Sequence, residues 1–287
     1  MAVYRRGFQR YRGPISGRWT RFMVLPHFAW HRLFQQRLVV LLIVVAMIWP
    51  LLSAAFIYLS NSADLLKGLS GQFRNFIQVN GNFFLIFMNV QATFAIFLAA
   101  LAGPGLIAPD LANNALPLYF SRPLVRADYV LARLATLFGM LSIVTWIPGL
   151  LLFAMQVGMA DESWFQANWK MGPAVVAGFL VWILLLSLVA LASSAYARVR
   201  VVAGGIVLGF FFILGGASAM INGVFRATWG SALSPGWATR RIWYALLGVD
   251  SPPSGPGAAE CLIVLLAIMF LLVLVLERKL RPVEIIS

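Results

Sequence analysis

Charge is scarce in this 287-residue chain, and acid is scarcer still. The charged types make up 11% of the residues, with 9 Asp and Glu against 22 Lys and Arg. A soluble domain carries about a quarter of its residues charged, so a water-facing globular body is excluded. A single cysteine, Cys261, excludes an intramolecular disulfide. The two histidines, His27 and His31, lie four apart, which suits a metal pair on a helix. No Glu or Cys stands near them to complete a site, and no metal is expected. Lysine is nearly absent too: Lys67, Lys170 and Lys279 include no Gly-Lys-Ser/Thr, so the chain has no phosphate-binding loop of its own.

What remains is apolar. Hydrophobic residues reach 61% and mean hydropathy is +0.87. Six segments approach or exceed the roughly 20 residues that a bilayer core demands: Leu38 to Leu59, Phe83 to Ala102, Leu134 to Val157, Pro173 to Ala197, Val201 to Ile221 and Ala258 to Leu276. The expected fold is an all-α polytopic membrane protein, with residues 1–37 as a basic tail and 38–287 as a six-span body. Pro26 to Phe34 interleaves aromatics with cations and predicts an interfacial helix opened by Pro26. Its alternative is a solvated basic leader. Trp229, Trp237, Trp243 and Tyr244 between spans five and six predict one or two short helices in the outer leaflet, or else a solvated loop. Pro50 and Pro148 are expected to kink spans one and three.

The net charge of +13 raises nucleic acid as a partner, but its placement points to lipid. Eight arginines (Arg5, Arg6, Arg10, Arg12, Arg18, Arg21, Arg32 and Arg37) precede the first span with no acid among them. No recognisable nucleic-acid fold accompanies them. With the N-terminus inside, the inner connections hold sixteen Lys and Arg. The outer ones hold six: Lys67, Arg74, Lys170, Arg226, Arg240 and Arg241. The asymmetry predicts a multi-pass protein of the cell (inner) membrane with both termini cytoplasmic.

Ionisable residues are nearly missing inside the spans, where ion-coupled transporters keep the site for the driving ion. Only Glu260, near the outer end of span six, breaks the rule. Gly216-Ala217-Ser218 has the look of an intramembrane serine nucleophile, yet no intramembrane His exists to activate it, so no catalytic residue is assigned. Gly205 and Gly209 form a small-xxx-small face suited to helix contact. Asn89, Gln91 and Thr93 on span two are the notable polar cluster. They serve either interhelical hydrogen bonds or a substrate path.

The stretch from Gly103 to Arg133 is the most informative. Gly103-Pro104-Gly105 is expected to end span two. Pro109 suits a first helical position, Asp110 the positive end of a dipole, and Asp128 a cap of the next helix. Leu111, Ala115 and Leu118 recur at helical spacing beside Asn113 and Asn114. The run from Leu106 through Ala115-Leu116-Pro117-Leu118-Tyr119-Phe120-Ser121-Arg122-Pro123 to Arg126 and Asp128-Tyr129-Val130 resembles the cytoplasmic loop of type 2 ATP-binding-cassette (ABC) exporter permeases. Many members end that run with Gly-Lys, where this chain has Ala132-Arg133.

The resemblance implies a coupling helix that docks on a separate cytoplasmic ATPase, which carries ATP and Mg while the permease binds no cofactor. It implies contacts from Asp110, Asn113, Asn114, Tyr119, Phe120, Arg122 and Arg126, with Arg122 touching either the ATPase or lipid phosphate. It also implies an elbow helix before span one and a second permease subunit, in a homo- or heterodimer. The alternative from another class is a motorless membrane scaffold or assembly factor. An intramembrane enzyme is the third. For the topology, cysteines introduced at Ser16 and Ser287 are expected to resist an impermeant thiol reagent added outside intact cells and to react once the membrane is opened.

Overall fold

Residues 18–62, 78–113, 126–197, 199–250 and 254–279 are described by a computed structural model, and all regular structure among them is helical. The elements are α1 (Arg18–Phe34), α2 (Arg37–Asn61), α3 (Gly81–Ala102), α4 (Pro104–Ala112), α5 (Arg126–Val144), α6 (Trp146–Met159), α7 (Glu162–Asn168), α8 (Met171–Tyr196), α9 (Arg200–Phe225), a 3-10 turn (Trp229–Leu233), α10 (Pro235–Leu247) and α11 (Ala258–Lys279). Six stretches are long and apolar enough to cross a membrane: Arg37–Asn61, Gly81–Asp110, Ala127–Met159, Met171–Tyr196, Arg200–Phe225 and Ala258–Lys279. At about 1.5 Å per residue each clears the roughly 30 Å hydrocarbon core.

The bundle is built around α8. Its most apolar stretch is 72% buried, against 22% for α2, α9 and α11. No polar face interrupts α8, and Ala174, Gly178, Ala190, Ser193, Ser194 and Ala195 let neighbours come close. A Cβ on Gly178 would fall 2.7 Å from Trp243 of α10. The peripheral helices present Leu51, Phe212 and Ile263 outward, where hydrocarbon takes the place of water. At one end of the bundle Trp30 of α1 donates to the Thr136 carbonyl at 2.8 Å, and a Cβ on Gly139 would sit 2.3 Å from the Trp30 ring. At the other end Asn61 of α2 donates to Gln156 of α6 at 2.8 Å.

Prolines set the local breaks, because each removes a donor and leaves the carbonyl four residues earlier unbonded. Pro148 would collide with the Val144 carbonyl, and α5 stops there. Thr145 takes φ −112° and ψ −96° before the chain resumes as α6, so span three is two helices rather than one. The Thr145 hydroxyl donates to the Leu141 carbonyl at 2.7 Å. Pro104 opens α4 immediately after Gly103, and the buried first-turn amides of Ile107 and Ala108 donate to Ser194 Oγ of α8 at 3.2 and 2.9 Å. That hydroxyl in turn donates to the Pro104 carbonyl at 3.2 Å. A serine of another helix therefore caps α4. Glycine is required at 103, since a Cβ there would lie 2.5 Å from that of Ala190.

Pro50 does not interrupt α2, which runs unbroken. The carbonyl it deprives is that of Ala46, and Gln91 Nε2 of α3 donates to it at 3.2 Å. Gln91 is fully buried. Pro26 likewise lies inside α1 instead of opening it. Two short helical elements, the 3-10 turn and α10, do occupy the connection before α11.

Gln91→Leu is expected to cost about 1–3 kcal/mol in a detergent-solubilised unfolding measurement, because the buried Ala46 carbonyl is left unpaired. In a Pro50→Ala background the backbone amide regained at that position can supply the donor within α2, and the same change should be neutral or favourable. Equal costs in both backgrounds would dissociate Gln91 from the proline.

Candidate functional site

Asp110 lies in the last turn of α4, not the first turn of a coupling helix: the helix begins at Pro104, Pro109 sits in its interior, and it ends at Ala112. A carboxylate there faces the negative end of the dipole, so its charge is answered elsewhere. Arg133 Nη2 of α5 pairs with Asp110 Oδ2, and Tyr129 Oη donates to the same oxygen at 2.7 Å. Tyr129 and Arg133 stand one turn apart on α5, and the guanidinium carbon lies 5.1 Å from the Tyr129 ring centroid. The Asp110 and Arg133 side chains are 13% and 10% exposed, enough burial for the pair to matter and too much for either charge to stand alone.

The cluster ties the end of span two to the start of span three. Asn113 N–H still donates to the Pro109 carbonyl at 3.0 Å, and Asn113 is exposed. Arg126 opens α5, with Asp128 in its first turn beside the positive dipole end instead of at the cap. Asn114, Tyr119, Phe120 and Arg122 lie outside the described residues, as does the rest of 114–125.

The polar cluster on span two divides. Gln91 bridges to α2, as above. Asn89 Nδ2 donates to the Leu85 carbonyl at 2.7 Å, and Thr93 Oγ1 to the Asn89 carbonyl at 3.0 Å. Both fold back on their own helix, which satisfies their donors without a neighbour. Asn89 is half-buried and Thr93 exposed, so they mark an outer face of α3 and not an interhelical contact within this chain. Gly205 and Gly209 also meet no other helix. Gly204 is the close contact of α9, with a Cβ there 2.7 Å from the Ala100 carbonyl oxygen.

Glu260 has a structural task. It is the third residue of α11, and its Oε2 accepts from the Gly257 amide at 3.0 Å, half of a capping box. His31 Nε2 lies 3.0 Å from Gln35 Nε2. The residues that sequence reasoning missed are Tyr129, Arg133 and Ser194. Arg133 is legible in the sequence only as a cation near a membrane face, since its partner is 23 residues away. No protein-family model matches the chain, and no curated protein compared with it matches.

Arg133→Gln strands Asp110 beside apolar neighbours. It is expected to cost about 2–3 kcal/mol, below the usual range for a broken buried pair because both groups retain some exposure. Adding Asp110→Asn should restore most of the loss. Thermal unfolding of the two variants in detergent measures this, and an unrecovered double variant would contradict the pairing.

Proposed function

We propose that this chain is the permease subunit of an ABC exporter, resembling the type 2 family, and that a separate cytoplasmic ATPase drives it through the 103–133 loop. The observation that carries the reading is the run Leu106 to Val130 standing between the second and third of six apolar helices. The ion-paired cluster at its two ends supports it, because a loop pinned on both sides passes force to two spans at once. Two permease subunits pair, each with an ATPase that holds ATP and Mg. Closure of the ATPases shifts the loops and opens a path between the permeases. In this scheme α1 is the elbow at the cytoplasmic membrane face, and the 3-10 turn and α10 are the outer helices before the last span.

The distribution of charge favours an external motor. Asp110 and Arg133 neutralise one another near one end of the spans, and Glu260 caps a helix at the other. Neither arrangement leaves a carboxylate poised at membrane depth to take up a driving proton or sodium ion. A sixteen-to-six excess of cations on one side supports an orientation with the loop, α1 and both termini in the cytoplasm of an inner-membrane protein.

Tyr119 and Phe120 are the anchors of the docking face, as aromatics bury much area at low entropic cost. Replacing both by alanine is expected to cost on the order of 2–4 kcal/mol of association, a roughly 30- to 1,000-fold weakening. The measurement is recovery of the ATPase with the tagged permease, alongside membrane abundance of the variant. Unchanged recovery and unchanged transport would make this stretch an ordinary loop and favour the scaffold.

A further inference from the structure

We propose that α1 and α5 form one arm that pivots about Thr145 in the middle of the membrane, with Asp110 fixing its resting position. Span three runs from Ala127 to Met159, and Thr145 stands near its midpoint. There the Thr145 amide bonds the Ser142 carbonyl at 3.3 Å, three residues back rather than four, and the Gly149 amide donates to the Thr145 carbonyl at 3.2 Å. Pro148 has no amide to return to the Val144 carbonyl. The two halves are therefore joined by a short stretch with fewer ladder bonds than a helix, which is where a helix bends.

The halves are tied to different parts of the bundle. On the arm side, the Trp30 indole of α1 donates to the Thr136 carbonyl at 2.8 Å, and its ring lies against Gly139, where a Cβ would sit 2.3 Å away. α1 cannot shift along α5 without losing both contacts. On the other side of the break, Gln156 of α6 accepts from Asn61 of α2 at 2.8 Å. A Cβ on Gly149 would fall 2.8 Å from Val175 of α8 and 3.2 Å from Phe87 of α3, and one on Gly172 of α8 would fall 2.8 Å from the Phe153 ring of α6. Glycines this close to a neighbour lock α6 into the frame of α2, α3 and α8.

The arm meets the centre of the bundle differently. Thr136, Ser142 and Thr145 return their hydroxyls to carbonyls of α5 itself at 2.8, 2.7 and 2.7 Å, and Leu137, Leu141 and Val144 are fully buried. An apolar contact in hydrocarbon gains little from one position over a neighbouring one, so it permits tilt. A polar restraint lies toward the arm's cytoplasmic end. Arg133 and Tyr129 bond Asp110 of α4, and Ser194 holds α4 to α8. The pair is thus a clamp between arm and frame. A swing of roughly 15° about Thr145 moves Leu131, about 21 Å away at 1.5 Å per residue, by about 5 Å. That a partner ATPase drives the swing rests on the permease reading, whereas hinge and clamp do not.

The test uses the purified full chain in nanodiscs without any ATPase, in a Cys261→Ala background. Spin labels are attached through cysteines that replace Leu131 on the arm or Leu151 on α6, each paired with Phe212 of α9 and with Ile263 of α11; all four side chains are exposed. Double electron–electron resonance reads the distances. Asp110→Asn with Arg133→Gln opens the clamp without stranding a charge. It is expected to add a second population to at least one Leu131 distance, shifted by about 5 Å, and to leave both Leu151 distances unchanged. Asp110→Leu with Arg133→Met, an apolar pair, serves the same purpose if the amide pair does not fold. Adding Pro148→Ala, which restores an amide for the Val144 carbonyl, should return the Leu131 distances to one population. Unmoved Leu131 distances in the opened clamp overturn the proposal, as do equal changes at Leu151 or a second population that survives Pro148→Ala. A swinging arm in a chain that recovers no ATPase leaves the hinge and removes the permease reading, and a rigid arm in a chain that recovers it does the reverse.

Discussion

Unpaired backbone carbonyls are the constraint on which this structure turns. In hydrocarbon no water bonds a carbonyl whose donor is missing, and each such group costs several kcal/mol. Prolines create such gaps in backbone bonding within the spans, and Pro50, Pro148 and Pro104 are accommodated in three different ways. Gln91 crosses from α3 to bond the carbonyl that Pro50 leaves free, and α2 stays whole. At Pro148 the helix stops and restarts around Thr145, whose hydroxyl bonds a carbonyl one turn back. At Pro104 the chain restarts as α4, and Ser194 of the central helix takes the amides that the restart exposes. These polar contacts fix how α2 meets α3 and how α4 meets α8 in a membrane, where apolar burial discriminates little between one helix face and another.

The same logic governs the Asp110, Tyr129 and Arg133 cluster. A lone carboxylate at the wrong end of a short helix is unfavourable on both dipole and desolvation grounds. The partner arginine removes both penalties only if α5 starts where it does. The pair therefore specifies geometry more than it adds stability. It holds the two flanks of the 113–126 connection in register, which is the mechanical requirement for any partner that pushes on that connection.

The spans are legible because a bilayer imposes a length and a composition that few other environments demand, and the six apolar runs match the helices within a few residues at most ends. The helix starts expected at Pro26 and Pro109 fail for a common reason. Proline at a first helical position is a strong preference in water, but inside α1 and α4 proline is tolerated where neighbouring helices and apolar surroundings hold the segment. Asp110 sits on the opposite end of its helix from the one its local sequence suggests, as nothing in a local window marks an arginine 23 residues later as its partner. Asn89, Gln91 and Thr93 look alike as letters. Only the third dimension separates the one that bridges helices from the two that fold back on their own.

The central claim is that the chain moves nothing by itself and is worked by a nucleotide-binding partner. Native mass spectrometry of the tagged chain, extracted from its own membranes in mild detergent, addresses this most directly. The account predicts an assembly of two permease subunits with bound subunits that carry a phosphate-binding loop and retain nucleotide. A chain that emerges alone, or with partners that hold no nucleotide, would contradict it.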